Sequence, residues 1–328
     1  MVTSDHVKDA PAKPAEEPYR YTYLMKTWSI EKSPPLQPFT HVDASSRALN
    51  YANPRTFLDS ANVVEMMPAF RSEVQRLNLA ELDGEGKDQL ALNVACNGVI
   101  VLHNQQDFIN WGLKFYTEWG RYFGPLHAHP LAGHPEGYPD IHLVYKDANS
   151  HFNTMDSITT TVWHSDCSFK LQPAGITAFW LLSQPKTGRD MLYTTQVLNL
   201  QSLSPTMANF LCTLKAMHTA VNSMCSKCSG MVRQEPIETV HPVECHTRLQ
   251  VRKLYLLLNF FYDHVAMSTD HQVRIKWEPM SVVVWVRGTT AHTATSDYAH
   301  LKAHRHGARI SAQAERPILA LDGLKMDD

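Results

Sequence analysis

Short apolar runs dominate the second half of the chain. The segments "IHLVY" (141–145), "TTTVW" (159–163), "GITAFWLL" (175–182), "VVVWV" (282–286) and "ARISA" (308–312) are rich in β-branched and aromatic residues and bounded by turn formers, which predicts strands. Earlier, "GEGKDQLALNVACNG" (84–98) predicts a helix stopped by Gly98, and "VIVLH" (99–103) a buried strand. The stretch "DFINWGLKFYTEWGRYFG" (107–124) spaces its aromatics as an amphipathic helix would. Further helices are expected near "SPTMANFLCTLKAMHTAV" (204–221) and "LYLLLNFFYDHV" (254–265). Many short strands between turn signals imply a sandwich or barrel with helical additions rather than a doubly wound sheet. Residues 1 to about 40 ("PAKPAEEP", "EKSPPLQPF") are rich in Pro and charge and are expected to form an arm that wraps or hangs from a single domain over 41–328.

Composition narrows the function classes. The 328 residues are 44% hydrophobic, enough for a full core, and 30 Lys plus Arg nearly balance 32 Asp plus Glu. That balance argues against nucleic acid or an acidic membrane as partner, so any anion site must be local. The first residues carry no apolar core of a leader peptide, and "LYLLLNFFY" is far shorter than a bilayer span, so a cytoplasmic protein is expected. Six cysteines without regular spacing read as reduced thiols, whereas 18 histidines raise the chance of a metal site and of false ones alike.

The candidate chemistry begins at "TTTVWHSDCSF". On a strand, residues two apart share a face, so His164 and Asp166 can present an imidazole and a carboxylate to one ion. Spacing alone is weak: His41 and Asp43 in the Pro-flanked arm repeat it. A third ligand is offered by His292, just beyond the run "VVVWV". Two His and one carboxylate leave positions open on an ion and suit non-haem Fe(II) chemistry with dioxygen. Beyond them, Arg305 and Arg309 lie four apart, an even spacing that aims two guanidiniums at one side of a strand for carboxylate or sulfonate. Cys225 and Cys228, with Cys245 and His246, are a weaker candidate zinc site, and thiols in a loop are the preferred reading. Cys167 reads as a packed residue rather than a nucleophile.

Taken together, "RYFGPLHAHPLAGHPEGYP", "TTTVWHSDCSFKLQPAGITAFWL", "SQPKTGRDMLYT", "VVVWVRGTTAHTATSDY" and "RHGARISAQAERP" resemble the TauD/TfdA (taurine dioxygenase) family of Fe(II)- and 2-oxoglutarate-dependent dioxygenases, and within it the fungal sulfonate-dioxygenase-like branch. The resemblance runs from about residue 85 to 320. It implies a mainly β fold with flanking helices, a double-stranded β-helix or jelly roll. It also implies that His164, Asp166 and His292 are iron ligands and that Arg305 holds the distal carboxylate of 2-oxoglutarate. Arg309 and His129 would receive the substrate. The implied reaction couples decarboxylation of the keto acid to succinate and carbon dioxide with oxidation of a C–H bond. The substrate would be a small acidic or zwitterionic compound: a sulfonate, an amino acid or a secondary-metabolite intermediate. Related folds often form dimers or tetramers, so a homo-oligomer is an open expectation.

The chain departs from that pattern. Where the family has Gly-Gly-Asp-Thr, with the Thr hydroxyl on 2-oxoglutarate, it has "GRDM", and Met191 donates no hydrogen bond. Arg189 beside it has two readings, compensation for that lost bond or a side chain facing water, and water is the preferred one. A strand-and-loop segment after "VHPVECHTR" is shortened, and Ala132 stands where taurine-specific relatives place a tyrosine, which makes taurine itself a poor fit. The alternative reading is therefore a non-canonical or decayed paralogue that oxidises without 2-oxoglutarate or only binds a small anion.

Overall fold

Alternation along the strands builds two layers. A computed structural model of the chain describes residues 19–28, 37–68, 72–129, 132–146, 163–219, 238–242, 255–295, 297 and 304–317. The strands are β1 (Asn62–Val64), β2 (Ser72–Gln75), β3 (Val99–Leu102), β4 (Ile141–Lys146), β5 (Ala174–Ser183), β6 (Met191–Thr195), β7 (Lys215–Thr219), β8 (Glu238–Pro242), β9 (Gln272–Ile275), β10 (Val282–Val286), β11 (Thr290–Ala294) and β12 (Arg305–Gln313). The larger sheet has the order β1-β2-β3-β10-β5-β12-β4, the smaller β11-β6-β9, and β7 pairs with β8 alone. All pairings are antiparallel except β2 with β3.

Successive residues on the larger sheet point to opposite sides. Ile100, Leu102, Ala178, Trp180, Val282, Val284, Ala308 and Ile310 face the helices and form one core with them. Val99, Val101, Phe179, Leu181, Val283 and Trp285 face the other way and meet Met191, Tyr193 and Ile275 of the smaller sheet, with Trp277, in a second core. Burying apolar side chains on both faces stabilises the sheet by about 25 cal/mol per Å² removed from water.

The helices are α1 (Ala44–Ala48), α2 (Gly84–Asn97), α3 (Gln106–Asn110), α4 (Leu113–Arg121), α5 (Gln196–Gln201), α6 (Pro205–Cys212) and α7 (Tyr255–Met267). In α2 the Asp83 side chain accepts from Gly86 N–H, and Gly98 ends the helix at φ +79°. The expected helix over 107–124 is instead two, because Gly112 at φ +90° breaks it between α3 and α4. Its aromatics still enter the core: Phe108 and Tyr116 pack on Trp180, and Trp119 packs on Phe108. The helix expected over 204–221 stops at Cys212, and the next residues pair with β8 as β7; a strand partner outweighs local helix propensity.

Within the stretch read as an arm, Tyr21 and Leu24 are buried in the helix-side core and Thr27 bridges to His134. The residues of "TTTVW" before Trp163, the four residues of the candidate zinc site, and the shortened segment near 245–254 lie outside the described residues. Among the described residues, no helix is long and apolar enough to cross a membrane.

Candidate metal centre

Backbone pairing brings the two halves of the centre together. His164 and His292 form an antiparallel bridge, with N–H to carbonyl distances of 3.1 and 2.9 Å in the two directions. The imidazole rings therefore lie side by side, centroids 4.5 Å apart. The chain then turns, rather than continuing as the strand expected for the His-x-Asp pair, with Cys167 at φ +53°. That turn delivers the Asp166 carboxylate 3.8 Å from His164 Nε2 and 3.6 Å from His292 Nε2.

One donor atom from each of the three residues lies within 4.8 Å of the other two. His292 is buried, stacked on Tyr193 and edge-on to Trp285, whereas the His164 side chain is 46% exposed. The cluster thus sits at the edge of the inter-sheet core, with His292 inside it and His164 toward solvent. Two imidazole nitrogens and a carboxylate oxygen with open positions are the donor set of non-haem Fe(II) oxygenases.

Strand β12 supplies the cations. Arg305 and Arg309 are both buried on its inner face, the face opposite Ala308 and Ile310. Gly307 lies between them, and a Cβ there would come within 2.7 Å of the Phe179 ring. With no Cβ in the way, the ring lies against the strand, and the Arg305 guanidinium carbon sits 5.7 Å from its centroid. Arg309 reaches a candidate ligand: Nη1 donates to Asp166 Oδ2 at 2.6 Å and Nη2 to His142 Nδ1 at 2.7 Å.

Electrostatics follow from this contact set. Burial alone would raise the Asp166 pKa, but Arg309, then His292 and His164, hold the carboxyl well below its usual range. Burial, with Arg309 and His129 adding, keeps His142 well below the ordinary histidine value. A neutral His142 is what lets Nδ1 accept from the guanidinium. The His129 ring lies tilted against that of His142, 4.6 Å between centroids, so the expected substrate histidine adjoins the Arg309 contact. Beneath it, Lys170 is buried, donates from Nζ to the Ala128 carbonyl at 3.1 Å, and is pulled down to about 8 by burial.

Other expectations sort plainly. Arg189 does not face water: it is 1% exposed, because its backbone at φ +71°, held by Asp297 Oδ1 on its N–H, turns the side chain inward. Met191 does face the interior, within 3.8 Å of the Tyr193 hydroxyl. Asp43 caps α1 by accepting from Ser45 N–H, and His41 lies against Phe39, so the second His-x-Asp is structural. Three site residues had no signal in spacing: His142, Lys170 and Tyr193. His142 shows only through the register that places it opposite Arg309 on neighbouring strands, and Tyr193 through sharing the inner face of β6 with Met191. Burial holds the Tyr193 phenol well above its ordinary pKa, with Asp166 adding and Arg309 and Arg305 opposing.

A helix-flanked sandwich with this triad at its edge defines a non-haem iron oxygenase of the jelly-roll class. The sequence profile described as "Taurine catabolism dioxygenase TauD, TfdA family" matches residues 62–311, and the chain belongs to that family. The chain is 34% identical to the α-ketoglutarate-dependent sulfonate dioxygenase of Saccharomyces cerevisiae, over 93% of its own length and 81% of the relative's. It is 31% identical to the α-ketoglutarate-dependent dioxygenase cnsP of Penicillium expansum, over 89% and 85%. In fold it is similar to a crystallised taurine dioxygenase from Burkholderia xenovorans, with TM-score 0.61 at 21% identity over 80% of this chain and 92% of that one.

Proposed function

We propose that the chain oxidises a C–H bond of a small acidic or zwitterionic substrate with Fe(II) and 2-oxoglutarate, and that His164, Asp166 and His292 are the ligands. Dioxygen is the oxidant: with iron and keto acid bound, two of the four electrons it takes up would come from the keto acid, which leaves as succinate and carbon dioxide, and two from the substrate C–H bond. Arg305 receives the distal carboxylate of the keto acid. Its support is position: a buried cation on the inner face of β12, against an aromatic wall where a charge pair is worth more than in water.

Arg309 and His129 orient the substrate's acidic group. Arg309 already holds Asp166 and His142, and it keeps further N–H groups for a sulfonate or carboxylate. Phe179, Leu181 and Trp285 are buried in the inter-sheet core, apolar surroundings that would keep water from the reacting carbon. The yeast relative's name points to sulfonates, and Ala132 disfavours taurine. Thiols at Cys96, Cys167 and Cys212, none in a disulfide, suit the cytoplasm.

The observation that carries this reading is the convergence of three donor atoms within 4.8 Å beside two buried arginines on one strand face. Anaerobic titration of the Fe(II)-loaded protein with 2-oxoglutarate tests it, through the visible charge-transfer band of keto-acid chelation. Appearance of the band supports the cosubstrate role. Bound iron without the band would favour the alternative, oxidation without the keto acid or anion binding alone.

A further inference from the structure

Met191 leaves the site short of one donor. The resemblance places a threonine hydroxyl on the keto acid's distal carboxylate, and a thioether in its place offers no hydrogen. The strand supplies a hydroxyl from elsewhere. Tyr193 is two residues on, so its side chain leaves β6 on the same inner face, and it is fully buried. Its ring is stacked on His292, and its hydroxyl reaches back along the strand to within 3.8 Å of Met191 Sδ.

Thioether sulfur is a weak acceptor. The phenol hydrogen is thus directed at the position the threonine would have occupied, where an anionic oxygen would be a far stronger partner. From the opposite sheet Arg305 approaches the same space: its guanidinium lies over Phe179, and Phe179 shares the inter-sheet core with Tyr193 and Met191. Hydroxyl and guanidinium thus enter the inter-sheet core from two sheets, and the phenol ring lies on the candidate ligand His292.

We propose that the Tyr193 hydroxyl, displaced one inner-facing position along β6, replaces the threonine as the hydrogen-bond donor to the distal carboxylate of 2-oxoglutarate, opposite Arg305. Met191 then acts as the apolar spacer that packs under the phenol and aims it. The inference rests on the proposed use of 2-oxoglutarate. It explains how this chain tolerates a residue that should otherwise weaken its cosubstrate site.

The test is calorimetric titration of the Mn(II)-loaded protein, which binds without turning over, using 2-oxoglutarate and 2-oxobutyrate, a keto acid with no distal carboxylate. Tyr193→Phe should bind 2-oxoglutarate about 10- to 100-fold more weakly, the loss of one hydrogen bond to a charged group. Binding of 2-oxobutyrate should be unchanged, which also shows that the variant folds and keeps its metal. Adding Met191→Thr to Tyr193→Phe should restore most of the lost affinity. Unchanged 2-oxoglutarate binding in Tyr193→Phe overturns the inference and leaves the function standing. An equal loss for both keto acids overturns it too, since Tyr193 would then act only by supporting the His292 ring. Failure of the unmutated protein to bind 2-oxoglutarate at all would remove the function and the inference together.

Discussion

Arg309 holds Asp166 by a 2.6 Å bond from Nη1 to Oδ2, and the same guanidinium is held by His142 at 2.7 Å. A residue expected to serve the substrate is therefore also a support of the metal centre. Groups that orient a ligand in this way cost about 10- to 100-fold in metal affinity when removed. Arg309→Leu should accordingly lose Mn(II) affinity by about that factor as well as substrate affinity. Arg309→Lys should recover part of the first loss by charge but little of the second, because an ammonium cannot fork. Substrate loss with unchanged metal affinity would show that the Asp166 contact has no supporting role.

The three candidate ligands differ in burial, and their variants should differ accordingly. His164→Ala removes a half-exposed side chain and should abolish tight Mn(II) binding while leaving Tm nearly unchanged. His292→Ala also abolishes binding but empties the space beside Tyr193 and Trp285, so its Tm should fall by roughly 2–6 °C. Wild-type metal affinity in either variant would remove that residue from the ligand set.

Gly307 separates the two arginines, and a methyl group there would meet the Phe179 ring at 2.7 Å and Leu181 at 2.9 Å. Gly307→Ala should destabilise the protein by about 1–3 kcal/mol, because neither side chain can withdraw from a packed strand. Shifting Phe179 also moves the surface on which Arg305 lies, so the 2-oxoglutarate requirement should rise. Combining it with Phe179→Leu should return part of the stability. Urea unfolding measures the first effect, and the concentration of keto acid giving half-maximal rate the second.

His306 accepts a 2.6 Å hydrogen bond from the Tyr19 hydroxyl, which ties the N-terminal stretch to β12. Burial pushes this histidine down to about 4. In the unfolded chain it titrates near 6.5. Between those values the unfolded state binds the extra proton, so the stabilisation is complete above about pH 6.5 and is lost as pH falls toward 4. The unfolding midpoint of the wild type should therefore drop more between about pH 7 and pH 5 than that of His306→Gln. Equal drops would assign the acid sensitivity to other buried histidines.

Much of the strand layout and the candidate chemistry is legible in residue order alone. Strand periods in "GITAFWLL" and "VVVWV" survive as β5 and β10 because an alternating or fully apolar run has few ways to bury itself. The order His164, Asp166, His292, Arg305 and Arg309 was legible because chemistry that needs given side chains constrains residue types, and several motifs together exclude chance. Helix breaks were less legible: Gly112 and the strand at 215–219 depend on what each segment meets in space.

Which side chains become neighbours at the candidate site depends on how the strands pair and the sheets pack. His142 lies 167 positions from Arg309 and Tyr19 lies 287 from His306, separations at which spacing carries no information. Pairing of β4 with β12, and the facing of the two sheets, set those neighbours. The inward turn of Arg189 was invisible for the same reason: a charged residue beside a turn reads as solvated until a fixed backbone, here at φ +71°, directs it into the protein. Residue type records what chemistry is possible, whereas strand register and sheet packing select the atoms that carry it out.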